Sequence, residues 1–211
     1  GELGDEEIVE HISGKKSAET SLEKPKGSET ETALELVNAS KGTCLHNLNL
    51  KLKKGEILGI TGLSGHGQVE LLHALFGDGE FDTGKIYVDG KQVRLRNERE
   101  ALSHGIVLIP EDRKNDGLIL SRSIGENITM MCLKSISNSG VLSGKKEKGV
   151  IADAVERMSI KVHSADLPVG SLSGGNQQKV VIAKALSTKA KIVLLSDPTR
   201  GIDIGTKTEI Q

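Results

Sequence analysis

The chain has 211 residues and a formal net charge of −1, with 28 Lys and Arg against 29 Asp and Glu. That length suits one domain, and the near balance of charge gives no general attraction to nucleic acid or to an anionic membrane surface. No apolar run approaches the roughly twenty residues that cross a bilayer, and no signal peptide opens the chain.

In chain order, Asp5-Glu6-Glu7-Ile8-Val9 begins a short helix with acidic residues in its first turn. Residues 14–32, GKKSAETSLEKPKGSETET, carry almost no apolar side chain and cannot offset the entropy of ordering, so they read as a flexible linker. Residues 33–211 are the expected domain. Alternating strands are expected at 34–37 and 48–52, followed by a Lys54-Gly55 turn and a continuous buried strand over Ile57–Thr61. A hairpin of 85–88 and 92–95 turns through Asp89-Gly90. Helical patterns follow at 69–76, 97–103, 124–133, 149–158 and 177–186, with buried strands at 106–109 and 192–195. Strands alternating with helices predict an α/β fold with a mainly parallel sheet, ligands at the carboxyl ends of its strands, and a small antiparallel layer beside it. The stretch of about 118–172 reads as a helical subdomain without strands. With no Trp, one Tyr and two Phe, the core must be aliphatic, and Cys44 and Cys132, in apolar contexts without metal-ligand spacing, read as buried reduced thiols.

Four segments carry chemistry. Gly62-Leu63-Ser64-Gly65-His66-Gly67-Gln68-Val69 follows the Ile57–Thr61 run and opens a helix, the context of a phosphate loop, but Gln68 and Val69 stand where such a loop has Lys and Ser or Thr. Ile109-Pro110-Glu111-Asp112-Arg113-Lys114 leaves a strand as a dense run of charge, which by itself reads as a solvated loop. Leu172-Ser173-Gly174-Gly175-Asn176-Gln177-Gln178 presents two small residues, a hydroxyl and the unpaired N–H groups of a first helical turn, the arrangement that favours an anion. About twenty residues later, a buried run over 192–195 ends in Ser196-Asp197-Pro198-Thr199-Arg200-Gly201-Ile202-Asp203.

The order and spacing of LSGG and the acidic strand end resemble the ATP-binding cassette (ABC) ATPases. Within that family, GNQQK and PTRGID look like the ATP-binding subunits of bacterial sugar importers of the ribose, galactose and xylose type. The resemblance covers roughly residues 33–211 and implies a P-loop fold, ATP and Mg2+ as ligands, and ATP hydrolysis coupled to transport. It implies that residues 1–13 are the tail of a first ATPase half in the same polypeptide and that this chain is the second half, cut short before its switch histidine beyond Gln211. The further partners implied are transmembrane permease subunits and, indirectly, a sugar-binding receptor, with no nucleic acid, at the cytoplasmic face of the cell membrane. Ser173, Gly174, Gly175 and Gln177 are expected to complete the partner half's ATP site, and Asp203 to cross the dimer interface as the D-loop.

The local site departs from the family's pattern. Gln68 brings no positive charge to outer phosphates, and Val69 has no oxygen for magnesium. Ser196 falls on the position of the aspartate that steadies magnesium, and Asp197 on that of the catalytic glutamate, about 1.5 Å shorter. Glu111 falls where other ABC proteins have the glutamine that senses the γ-phosphate. Gly62 to Val69 are therefore expected to bind nucleotide weakly, or to form a turn that binds nothing, and the 36–42 stretch has no aromatic residue for adenine. His66, His73 and His104 have no metal spacing. A nucleoside importer half and a non-hydrolysing ABC scaffold are the alternatives; a DNA- or ribosome-directed ABC protein is disfavoured by the absence of long heptads and basic arms.

Overall fold

The computed structural model describes residues 31–203 together with Lys207. The expected helix near Asp5, nearly all of the expected linker and the segment after Asp203 except Lys207 lie outside the described residues.

The first layer is a four-stranded antiparallel sheet in the order β2-β1-β3-β4, built from β1 (Thr32–Lys41), β2 (Leu45–Lys53), β3 (Thr83–Val88) and β4 (Lys91–Val93). β1 lies between β2 and β3 and turns Leu34, Leu36 and Ala39 inward, at 2%, 1% and 0% exposure. Emptying either leucine site is expected to cost about 2–5 kcal/mol. Its register shifts after Leu36 and Val37, where Asn38 adopts φ 50°, a bulge that twists the strand. The β3–β4 hairpin turns through Asp89 and Gly90, both with positive φ, as a two-residue turn requires.

Helix α1 (Gln68–Phe76) buries Leu71, Ala74 and Leu75, and the two leucines join the core under this layer. It stops at Gly77, left-handed at φ 88°, whose N–H donates to the Ala74 carbonyl while Asp78 donates to the His73 carbonyl. The short helix α2 (Glu98–Ser103), capped by Asn97, leads into β5 (Ile106–Ile109), which pairs in parallel with β8 (Ile192–Leu195). All four residues of β5 are buried. Ile106 and Leu108 join the core under the antiparallel layer, and Val107 and Ile109 join a second core with α3 (Ile124–Thr129) and α6 (Gly174–Leu186).

Three expectations change. The Ile57–Thr61 run joins no ladder among the described residues, and Ile57, Leu58 and Ile60 are 81%, 40% and 43% exposed. A strand is buried only when neighbours cover both its edges and faces, and here a cavity of about 830 Å³ separates this run from β8. The parallel part of the sheet among the described residues is thus the β5–β8 pair. The region of about 118–172 is not purely helical: α3 and α4 (Leu133–Ile136) replace the single expected helix, and Ser137–Asn138 (β6) pairs with Val141–Leu142 (β7) before α5 (Gly144–Arg157). Cys132 is buried as expected, but Cys44 is exposed, because it sits in the turn between β1 and β2.

Candidate nucleotide-binding site

The cavity between the Ile57–Thr61 run and β8 gathers six of the residues singled out from sequence: Gly62, Gln68, Val69, Glu111, Ser196 and Asp197. They arrive from the run before α1 and its phosphate loop, and from the carboxyl ends of β5 and β8, which run parallel.

The phosphate loop itself is largely exposed. Its last turn is fixed by Gly67, left-handed at φ 97°, against which a side chain would meet Leu45 Cδ2 at 2.7 Å. Leu71 N–H donates to the Gly67 carbonyl at 2.9 Å, and no side chain caps α1. The Gln68 side chain folds back across the loop, its Nε2 donating to the Leu63 carbonyl at 3.2 Å and leaving no room for a side chain at Gly62. An ammonium reaching forward to phosphates is thus replaced by a neutral amide turned onto the loop's own backbone. Val69 is 40% exposed and brings no oxygen.

At the end of β8, Ser196 is buried and its N–H donates to the Ile109 carbonyl at 3.0 Å, continuing the β5–β8 ladder by one bond. Asp197 then turns left-handed at φ 39°, a conformation that Asp tolerates better than most residues, and its carbonyl accepts from Arg200 N–H at 3.1 Å. This residue set is a poor fit to a magnesium–triphosphate: the loop has no Lys, Val69 has no side-chain oxygen, and Ser196 brings a hydroxyl rather than a carboxylate, which leaves Glu111 and Asp197 as the carboxylates lining the cavity.

The charged run after β5 is not a loose solvated loop. Arg113–Gly117 forms a single π-type turn capped by Asp112, which accepts from Lys114 N–H at 3.0 Å and Asn115 N–H at 3.1 Å. The Asn115 backbone bond leads the set of bonds that hold the Asp112 carboxyl below its ordinary range. Glu111 pairs with Arg200 at 3.0 Å. Arg113 reaches across to the carbonyls of Arg200 and Gly201, at 3.0 and 3.2 Å. At the far end of the turn, the Gly117 carbonyl accepts from the buried ammonium of Lys184 on α6.

The signature lies apart from the cavity, at the start of α6. Ser173 is the N-cap and accepts from Asn176 N–H at 3.5 Å and from Asn176 Nδ2 at 3.2 Å, so its hydroxyl proton remains to donate outward. Ser173 is exposed and Gly174 half-buried, while Gly175 is buried. Gln177 departs from expectation. Its side chain is 5% exposed and its Nε2 donates to the Val169 and Leu172 carbonyls, because residue 177 falls on the stripe of α6 that Val180 and Val181 bury. It braces the approach to the signature and does not offer its amide to a ligand. Asp203 lies just beyond the Arg200–Gly201 turn, and Lys207 N–H donates to its carbonyl at 3.0 Å.

Sequence reasoning left three positions unassigned: Arg113, Lys184 and the fully buried Asn127. Asn127 accepts from Ile119 N–H at 2.9 Å and donates to the carbonyls of Ile119 and Ser123, at 3.1 and 2.9 Å. Lys184 was legible as the i+7 position of the Gln177–Val180–Val181 stripe. Arg113 acts on carbonyls 87 and 88 residues away, and Asn127 on the Ile119 backbone eight residues away, which no pattern in the sequence brings near them.

A phosphate loop opening α1, a parallel β5–β8 pair ending beside it, and a serine-capped signature helix together define an ATP-binding cassette. In agreement, the ABC transporter family model matches residues 45–200, and the chain belongs to that family. The ribose import ATP-binding protein RbsA of Geobacillus kaustophilus is 42% identical over 205 residues, covering 97% of this chain and 41% of that protein. The xylose import ATP-binding protein XylG of Escherichia coli O6:K15:H31 is 45% identical over 169 residues, covering 79% of this chain and 33% of that one. The chain spans about two-fifths of the length of the ribose import relatives it matches. Among solved structures, the ATP-binding cassette MJ0796, dimeric and bound to ADP and Pi, superposes with a TM-score of 0.69 at 26% identity, covering 84% of this chain and 79% of that one. Among the described residues no helix is long and apolar enough to cross a membrane.

Proposed function

We propose that this chain is an ATP-binding half of a bacterial sugar importer, whose signature completes the ATP site of a partner half while its own phosphate site is degenerate. The similarity to ribose and xylose import ATP-binding proteins supports the transport class. The observation that carries the asymmetry is the Gln68 amide folded onto the Leu63 carbonyl, opposite an intact, serine-capped signature.

In this reading the partner half is the first half of the same polypeptide, and its phosphate loop holds ATP and Mg2+. Ser173 Oγ donates to the γ-phosphate, and the backbone N–H groups of Gly174 and Gly175, at the positive end of α6, stabilise its charge. Asp203 crosses to the partner as the D-loop. Asp197 and Glu111 hold the positions of the hydrolytic glutamate and the γ-phosphate sensor in the local cavity, where the residue set fits Mg2+ poorly and hydrolysis is slow. Closure of the two halves on ATP moves permease subunits through the loop after β5, at the cytoplasmic face of the membrane, and a sugar receptor delivers the cargo. Residues 1–13 and 14–32 serve as the tail of the preceding half and its linker, and about 118–172 as the signature-bearing subdomain.

The test is ATP turnover by the partner half with and without this chain. Stimulation that disappears on Ser173→Ala is expected. Brisk magnesium-dependent hydrolysis by this chain alone would refute the asymmetry, and an unchanged rate with Ser173→Ala would favour a scaffold.

A further inference from the structure

One guanidinium joins three motifs that lie far apart in sequence. Arg113 Nη1 and Nη2 donate to the carbonyls of Arg200 and Gly201, at 3.0 and 3.2 Å. In the opposite direction, the side chain of Arg200 pairs with Glu111 at 3.0 Å. The loop after β5 and the turn after β8 thus hold each other by a reciprocal clasp. The guanidinium also lies against the first residue of the signature helix: a Cβ on Gly174 would stand 2.8 Å from Arg113 Nη2, and one on Gly201 would stand 3.5 Å from Nη1. Arg113 Nε is buried with no acceptor among the described residues, so the side chain is placed by the two carbonyls and the two glycines rather than by complete satisfaction of its donors.

We propose that Arg113 is a positioning residue that locks the loop after β5, the Arg200–Gly201 turn and the start of the signature helix into one body, and that Gly174 is a glycine in order to admit its guanidinium. The idea deepens the importer reading and rests on it for one consequence: movement of the loop after β5 then carries Ser173 and Asp203 with it. The planar fork gives each of the two carbonyls its own N–H in one fixed plane and fills the space beside Gly174, which the slimmer, freely rotating ammonium of lysine does not reproduce. A methyl group at residue 174 would stand too close to Nη2, so the guanidinium would have to shift from its present place between the carbonyls.

The experiment is a cycle of Arg113→Ala, Arg113→Lys, Gly174→Ala and the Arg113→Ala/Gly174→Ala double variant, read in two ways. In the complete ATPase reconstituted with its permease, each single variant is expected to lower kcat for ATP about tenfold while KM for ATP stays within about twofold, with no rescue by Lys. The double variant is expected to be no worse than the more damaged single, because both remove one contact. In the 211-residue chain alone, urea midpoints should show the same non-additivity, which no nucleotide can influence. Multiplicative kcat losses with additive midpoint shifts would overturn the clasp, as would full rescue by Lys or a rise in KM at constant kcat. Coupled midpoints in a chain whose complete ATPase shows no permease-dependent turnover would uphold the clasp and sink the importer reading.

Discussion

The phosphate loop and the signature are both glycine-bearing turns that open a helix, yet the chain holds them in opposite ways. The phosphate loop is exposed, its helix α1 has no side-chain cap, and the run before it borders a cavity rather than a sheet neighbour among the described residues. Its one internal side-chain bond, from Gln68 to Leu63, closes the loop on itself. The signature is braced from several sides. Ser173 caps α6, Asn176 Oδ1 accepts from Lys161 N–H at 3.1 Å, Gln177 holds Val169 and Leu172, and Arg113 packs on Gly174. Helix α6 turns Gln177, Gln178, Lys179 and Lys184 inward together with its valines. Pre-organisation, which keeps the reorganisation cost of binding charge small, is concentrated at the signature, the end that the proposed function turns toward a partner half.

The sharpest way to break this contrast is to delete the equivalent hydroxyl from each loop. Ser173→Ala is expected to lower turnover at the partner's site about a hundredfold, the scale of removing one pre-organised donor from a developing anion. Ser64→Ala, in a loop whose cradle is closed by its own glutamine, is expected to change turnover by less than about twofold. Steady-state kinetics on the two-half assembly decides it, and equal losses would mean that both loops hold nucleotide productively.

Lys184 tests the bracing itself. Burial without a carboxylate partner lowers its pKa from 10.5 to about 8, so the folded state binds fewer protons than the unfolded chain between those two values. Stability is therefore expected to rise with pH across that window, and below about pH 8 the buried ammonium costs roughly 3 kcal/mol, offset in part by its bond to the Gly117 carbonyl. Lys184→Met removes both the charge and the donor. At pH 7 it is expected to stabilise the chain by about 1–2 kcal/mol, and at pH 10 by little or nothing. Urea midpoints of the two proteins at both pH values check this, and parallel curves would show that the ammonium is solvated in the folded state.

How far such features can be read from sequence depends on whether their cause is local. The antiparallel layer, the Asp89-Gly90 turn, β5, β8 and the helix starts follow from periodicity and turn chemistry within a few residues, and the structure places them within a few residues of expectation. The cavity residues were found because a glycine frame and an acidic strand end have local signatures. Ile57–Thr61 failed because apolar content predicts burial only if another strand arrives to provide it. Gln177 failed because its type suggested a ligand contact while its position, one turn before Val180 and Val181, already placed it on the buried stripe. Arg113 could not be found at all, since the Arg200 and Gly201 carbonyls lie 87 and 88 residues away.

The smallest expected effect addresses the phosphate loop directly. If the loop's backbone is correctly formed and only its chemistry is missing, Gln68→Lys with Val69→Thr should free the Leu63 carbonyl, place an ammonium where Nε2 now folds back, and supply an oxygen for magnesium. Gly67 still sets the left-handed turn that starts α1, and Gly65, at φ 82° with open space around it, still allows the loop to bend. Nucleotide affinity, read by isothermal titration with Mg2+ present, is then expected to rise about tenfold, the value of one charge-assisted contact at a partly exposed site. Titration without magnesium separates the two substitutions, because the ammonium acts alone there and the hydroxyl does not. An affinity that does not move would locate the defect in the exposed Ile57–Thr61 run behind the loop, where a backbone without sheet neighbours among the described residues cannot hold the N–H groups in register for any phosphate.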